Sequence, residues 1–147
     1  MARVISHFRR KEDGAELIEM AIVTPLLLLL ILGIVDFGFM FQRYVVLTNA
    51  AAEGARVSSL PGYGDGDVRT RVAEYATNGG ITGVVTVDPV AVNLPGPGGV
   101  GSWPGRQVTV TYVYTFNYIG PIAAFFGSGP GGTVTLRSRA TMRRQVP

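Results

Sequence analysis

Three carboxylates stand in or beside the longest apolar run of a 147-residue chain: Glu16, Glu19 and Asp36. An ionisable side chain at bilayer depth costs several kcal/mol, so acids at such places need a reason. They can stabilise a helix start, meet a cationic partner, or mark the water boundary of a membrane segment. The rest of the chain is poor in reactive groups. The only histidine is His7, the only lysine is Lys11, and there is no cysteine. Beyond residue 14 the usual general bases, soft metal ligands, thiol nucleophiles and Schiff-base amines are therefore missing. The acids Glu53, Asp65, Asp67, Glu74 and Asp88 have no pairing motif. The chain is expected not to be an enzyme and to need neither cofactor nor metal.

The elements that carry these acids follow from hydropathy. Met20 to Val35 is apolar except for Thr24, Pro25 and Gly33, and Phe37 to Phe41 continues the run past Asp36. About 20 apolar residues cross a ~30 Å hydrocarbon core, so residues 20–41 suffice for one membrane span. Arg3, Arg9, Arg10 and Lys11 precede it, which by the positive-inside rule keeps the N-terminus in the cytoplasm. The formal charge is +3; removing residues 1–14 takes away those four cations with Glu12 and Asp13 and leaves +1. With no recognition motif either, nucleic-acid binding is not expected.

Helical character runs on beyond the membrane. Gln42 to Arg56 is alanine-rich and free of proline, and Leu60-Pro61-Gly62 supplies a stop. A helix over 15–58 measures about 65 Å at 1.5 Å per residue and projects out of the bilayer. Pro25 removes one donor inside it, a kink or something more specialised. A second, short helix follows, with Asp65 or Asp67 capping its start and Asn78-Gly79-Gly80 ending it. Val68, Val72, Tyr75 and Ala76 form its apolar stripe.

The remainder alternates with period two. Val108, Val110, Tyr112, Tyr114, Phe116 and Tyr118 share one face of a strand over 106–118; Val134, Leu136, Ser138, Ala140 and Met142 share one face over 133–143. These strands are expected to pair antiparallel, with Tyr112, Tyr114 and Leu136 facing the short helix and Arg137 and Arg139 in solvent. A strand over about 84–94 flips parity at Asp88-Pro89, which suggests a bulge or break and an edge position. Arg137, Arg139, Arg143 and Arg144 make a basic strand face, either solvated or in contact with acidic partners. The stretch Ile119 to Phe126, with an apolar knot at Ile122 to Phe126, is expected to cover part of the sheet's end or to become a subunit contact. The fold class is α+β: a long N-terminal transmembrane helix, a short second helix and a small three-stranded antiparallel sheet.

The order of basic leader, Gly14, Ala15, Glu19 and membrane helix resembles the prepilin signal of type IV pilins. An ordinary secretory signal fits less well, because its apolar core is about 7–15 residues with a cleavage site soon after. With Pro25, Asp36 and Gly54-Ala55-Arg56 added, the block over 14–56 resembles the TadE-like family, minor pseudopilins of Tad (Flp) pilus systems. The closing strand "RSRATMR" resembles that family's last strand.

The resemblance implies cleavage after Gly14 by a prepilin peptidase and a mature N-terminus at Ala15. It places Glu19 at the fifth mature position, where the pilin acid pairs with the N-terminal amine of a neighbouring subunit. It implies a leader over 1–14, a transmembrane and extended helix over 15–58, and a small extracytoplasmic domain over 59–147. The partners implied are the peptidase, other pilin or pseudopilin subunits, the inner-membrane pilus platform and membrane lipid. The function implied is assembly or initiation of a pilus, with the secretion or adhesion that depends on it. The plainer alternative is a signal-anchored binding domain with no pilus role. On that view Glu19 is only an interfacial helix cap, worth about 0.3–1 kcal/mol. Asp36, about 25 Å beyond Glu19 along a helix, is either an interfacial residue or a partner-binding carboxylate.

Overall fold

The structure, a computed structural model, describes residues 2–121 and 132–145, with side chains from Gly14 onward. The knot Ile122 to Phe126 lies outside the described residues. Helix α1 runs over Ala2–Ser59 without interruption and passes through Pro25. It begins thirteen residues before the expected Ala15, because nothing in the leader stops it: Ala, Arg, Lys and Glu are good helix formers and no proline precedes Pro25. It ends where expected. The Ser58 hydroxyl donates to the Ala55 carbonyl at 2.9 Å and the Ser59 hydroxyl to that of Arg56 at 2.7 Å, satisfying carbonyls of the last turn. Gly62 then takes φ +88°, which residues with a Cβ rarely adopt.

Helix α2 spans Asp65–Asn78. Asp67 serves its start from the third helical position, accepting the Gly64 N–H at 2.9 Å. Asp65 instead pairs with Arg106 of the sheet. At the far end the Gly79 N–H reaches the Tyr75 carbonyl at 3.0 Å and Gly80 turns the chain with φ +83°. Val68, Val72 and Ala76 are buried, as their spacing required, while Tyr75 stays exposed.

Strands β1 (Val85–Pro95), β2 (Ser102–Thr115) and β3 (Thr133–Arg143) form an antiparallel sheet in that order. In register, Val85, Tyr112 and Leu136 lie side by side, as do Val87, Val110 and Ser138. Tyr114 and Leu136 are buried and Arg137 and Arg139 exposed, so the faces are as the alternation predicts. The helix they meet differs. The inner face lies mainly on α1: the Tyr114 hydroxyl reaches the Asp36 carbonyl at 3.3 Å, and the Ser138 hydroxyl meets that of Thr48 at the same distance. Helix α2 sits against β1, with Arg69 donating to the Val87 carbonyl at 3.3 Å. The reason is side-chain size. Leu47, Ala50, Ala51, Gly54 and Ala55 recur at helical spacing, and four of these five are Ala or Gly, so α1 approaches the sheet closely.

The parity flip in β1 is not a bulge. Its register with β2 is unbroken from Val85 to Pro95. The flip arises because β1 serves two apolar clusters. Val85, Val87 and Pro89 turn to the core, while Val92 and Leu94 pack on the opposite face over Gly105. There Leu94 pairs with Trp103, and the Arg143 guanidinium lies 3.0 Å from the Trp103 ring centre, a cation–π stack. The expected edge position holds, and an edge strand is where Pro89, with no N–H to give, is tolerated.

Two contacts tie α1 to α2. At Gly54 a Cβ would stand 2.5 Å from Val72 Cγ2 and 3.2 Å from Val108 Cγ1. Beside it, the Glu53 carboxylate accepts Nε and Nη2 of Arg56, both at 2.9 Å, and Nε of Arg71 in α2 at 3.2 Å. These bonds, with that from Arg56 the largest influence, hold the Glu53 pKa down at about 2 against an ordinary 4.5.

Gly54→Ala gains about 1 kcal/mol of helix propensity but loses about 1–3 kcal/mol to overpacking against a stiff valine, so the melting temperature should fall. Gly66→Ala in α2, with nothing within 4 Å, should raise it or leave it unchanged. A second measurement is melting against pH. Because the folded pKa of Glu53 is depressed, its stabilisation is fully present above pH 4.5 and is lost as the pH falls through about 2. Glu53→Gln should flatten the acid limb in that window.

Candidate functional site

The residues singled out in the sequence are strung along α1 rather than gathered in a cleft. Gly14 has open space around it, and Ala15, Glu19 and Pro25 are exposed. Leu17 to Val35 projects large apolar side chains away from the rest of the chain; Leu26 is 69% and Ile34 66% exposed. A stretch this long and apolar, with none of its most apolar window buried, is a candidate membrane span. Glu19 and Asp36 bracket it about 25 Å apart, so the structure does not bring them together.

Asp36 is a different case, 0% exposed. Its carboxylate accepts three consecutive backbone N–H groups: Asn117 at 3.2 Å, Tyr118 at 2.9 Å and Ile119 at 2.8 Å. Its own carbonyl accepts the Tyr114 hydroxyl. Nowhere among the described residues does it form an ion pair, so amides rather than a cation compensate the buried charge. Arg43, seven residues on, turns instead to the Gly79 carbonyl at 3.3 Å. The Tyr114 pKa is raised, first by burial and then by the nearby Asp36 charge, so its hydroxyl keeps the proton it donates.

These bonds also explain the length of β2. Period-two alternation runs to Tyr118, but the strand stops at Thr115, since the amides of 117–119 turn away from any ladder to reach Asp36. Around the turn, Phe116 meets Phe37 edge-on at 5.5 Å and Tyr114 at 5.3 Å. Ile119 comes within 3.6 Å of where a Cβ on Gly33 would stand. Gly33, Ile34, Phe37, Gly38, Phe41 and Ile119 line an apolar groove at this end of the span. The junction of helix and domain is thus built from Asp36, its three amides, Tyr114 and an aromatic collar. Sequence reasoning found Asp36 but not its partners. The signal that could have found them was the acid itself, set in an apolar run with no cation three or four residues away on the helix.

Comparison with known families bears on one segment of the chain. Residues 14–56 match the family described as TadE-like protein. The match bears out the resemblance of the block over 14–56 to the TadE-like family. No curated protein and no solved structure matches. Within the TadE-like segment the structure gives physical duties to the small-residue stretch: Gly54 admits Val72 and Val108, Ala55 is buried, and Arg56 holds Glu53. The long apolar helix is a candidate single membrane anchor.

Asp36→Asn should destabilise the domain by about 1–3 kcal/mol, because an amide offers one acceptor oxygen where three N–H groups need two. Hydrogen exchange is the sharpest readout: the amides of 117–119 should lose protection well before those of β2. Tyr114→Phe should cost less, about 0.5–1.5 kcal/mol.

Proposed function

We propose that the chain is a minor pilin-like subunit, a pseudopilin, that takes part in assembling or initiating a Tad pilus. It lies in the cytoplasmic membrane with its N-terminus inside and its domain outside. The observation that carries this reading is the extent of the TadE-like match, which begins at Gly14 and ends at Arg56. That interval holds the whole sequence of processing site, membrane span and the small-residue helix face under the domain. Prepilin peptidase removes residues 1–14, and the subunit then joins other pilins or pseudopilins at the inner-membrane platform.

The physics of the helix supports a division of labour. Gly14 sits in a helix where Ala would be about 1 kcal/mol better, so the backbone is weakened where a peptidase must draw it out into an extended form. A residue without a Cβ also leaves the catalytic groups uncrowded. Glu19 acts afterwards. Exposed on the free helix, it offers a carboxylate to an α-amine that exists only once the leader is gone. The work is structural rather than catalytic, in keeping with a chain that has no His, Cys or Lys after residue 14.

Replacing Gly14 with a bulky residue should leave a longer, membrane-retained precursor on a gel. Glu19→Ala should still be cut but should lower the number of surface pili, as the interface loses a charge-assisted hydrogen bond of about 1.5–3 kcal/mol. N-terminal sequencing of the mature protein should begin at Ala15. An intact leader in a piliated strain would favour a signal-anchored binding domain.

A further inference from the structure

Beside the junction, on the domain's side of the span, lies a cavity of about 310 Å³ that neither the family match nor the assembly role accounts for. Arg43, Phe39, Tyr112, Tyr118, Thr115 and Asn117 line it. Its volume is at the lower end of small-molecule sites, about 300–1,000 Å³. Arg43 is half-buried in the wall, and one of its nitrogens donates to the Gly79 carbonyl. It forms no ion pair with any carboxylate among the described residues. Asp36, which borders the cavity through Tyr114, is already satisfied by its three amides. The cavity therefore presents a cation with spare donors, further hydroxyl and amide donors, and aromatic walls. That set fits a phosphate, which guanidinium binds through paired, charge-assisted hydrogen bonds.

The level of the cavity selects the source of the phosphate. The apolar run ends at Phe41, and Arg43 follows it by two residues, about 3 Å along the helix. A bilayer of about 40–45 Å with a ~30 Å core leaves roughly 5–8 Å of headgroup layer on each side. With the apolar run ending at Phe41, Arg43 and the tyrosines beside it stand at headgroup depth, where aromatic and arginine side chains anchor helices. We propose that this cavity binds the phosphate of a phospholipid headgroup in the leaflet on the domain's side. The inference rests on the reading of α1 as a membrane span, but not on which way the chain faces.

The test compares the full chain with Arg43→Gln, whose amide can still donate to the Gly79 carbonyl while the charge is gone. Detergent-solubilised protein is offered phosphatidylglycerol, or diacylglycerol with the same acyl chains, and retained lipid is counted by native mass spectrometry. The wild type should hold phosphatidylglycerol about tenfold better than the variant and better than diacylglycerol. Tyr118→Phe, which removes one exposed hydroxyl, should give a smaller loss. Equal retention by wild type and Arg43→Gln, or equal retention of the two lipids, would overturn the proposal. So would complete displacement of phosphatidylglycerol by millimolar inorganic phosphate, which would make this a site for free anions. Liposome flotation reads the anchor separately. A chain that does not float removes span and site together, whereas one that floats and fails the lipid comparison loses the site alone.

Discussion

A carboxylate buried at the end of an apolar helix, compensated by three amides of a distant turn, is the interaction on which the rest of this structure depends. Asp36 without partners would be too costly to bury, and the 117–119 turn without Asp36 would leave three N–H groups facing an apolar collar. Each makes the other tolerable. Because the bonds come from consecutive amides, they set the place at which β2 ends and the point on α1 at which the domain sits. The Tyr114 hydroxyl on the Asp36 carbonyl and the Phe37–Phe116 contact add to the same joint.

Above that joint, α1 changes character without ceasing to be a helix. Over residues 17–31 it carries Leu, Ile and Val outward with nothing from the domain over them. Its second half narrows to Ala and Gly on one face, and that face is the floor of the domain core. One rod thus answers to two environments. Large side chains meet an apolar surround, while small ones let α2 and β2 approach to the distance at which Gly54 has no room for a methyl group. The Glu53–Arg56–Arg71 cluster beside it joins the two helices at the rim of that core.

The consequence for the proposed role is mechanical. A domain fastened to its helix at Asp36 and again along residues 47–59 moves with it, so a force or contact at the span reaches the sheet directly. The apolar half of the helix stays uncovered by the domain. This arrangement suits a subunit whose proposed role is to present an anchored helix to others, and it leaves the outer sheet face, with Arg137 and Arg139, open to solvent.

Much of this was legible in the residues because it depends on local pattern. Hydropathy marks the span, period-two alternation marks β2 and β3 with their faces, and Gly, Pro and Asn mark where α1 and α2 stop. The family of residues 14–56 was likewise readable, since Gly14, Glu19, Pro25 and Gly54-Ala55-Arg56 lie on one continuous helix. Where local pattern misled, a long-range contact had won. Alternation carried β2 to Tyr118, yet Asp36, eighty residues earlier, draws those amides off the ladder. The parity change in β1 resembled a bulge because a second apolar cluster, Val92 and Leu94 over Gly105 beside Trp103, is invisible along the chain. The choice of α1 rather than α2 as the sheet's main partner turned on how closely two surfaces approach. Periodicity names the face that is buried; only packing in three dimensions decides what buries it.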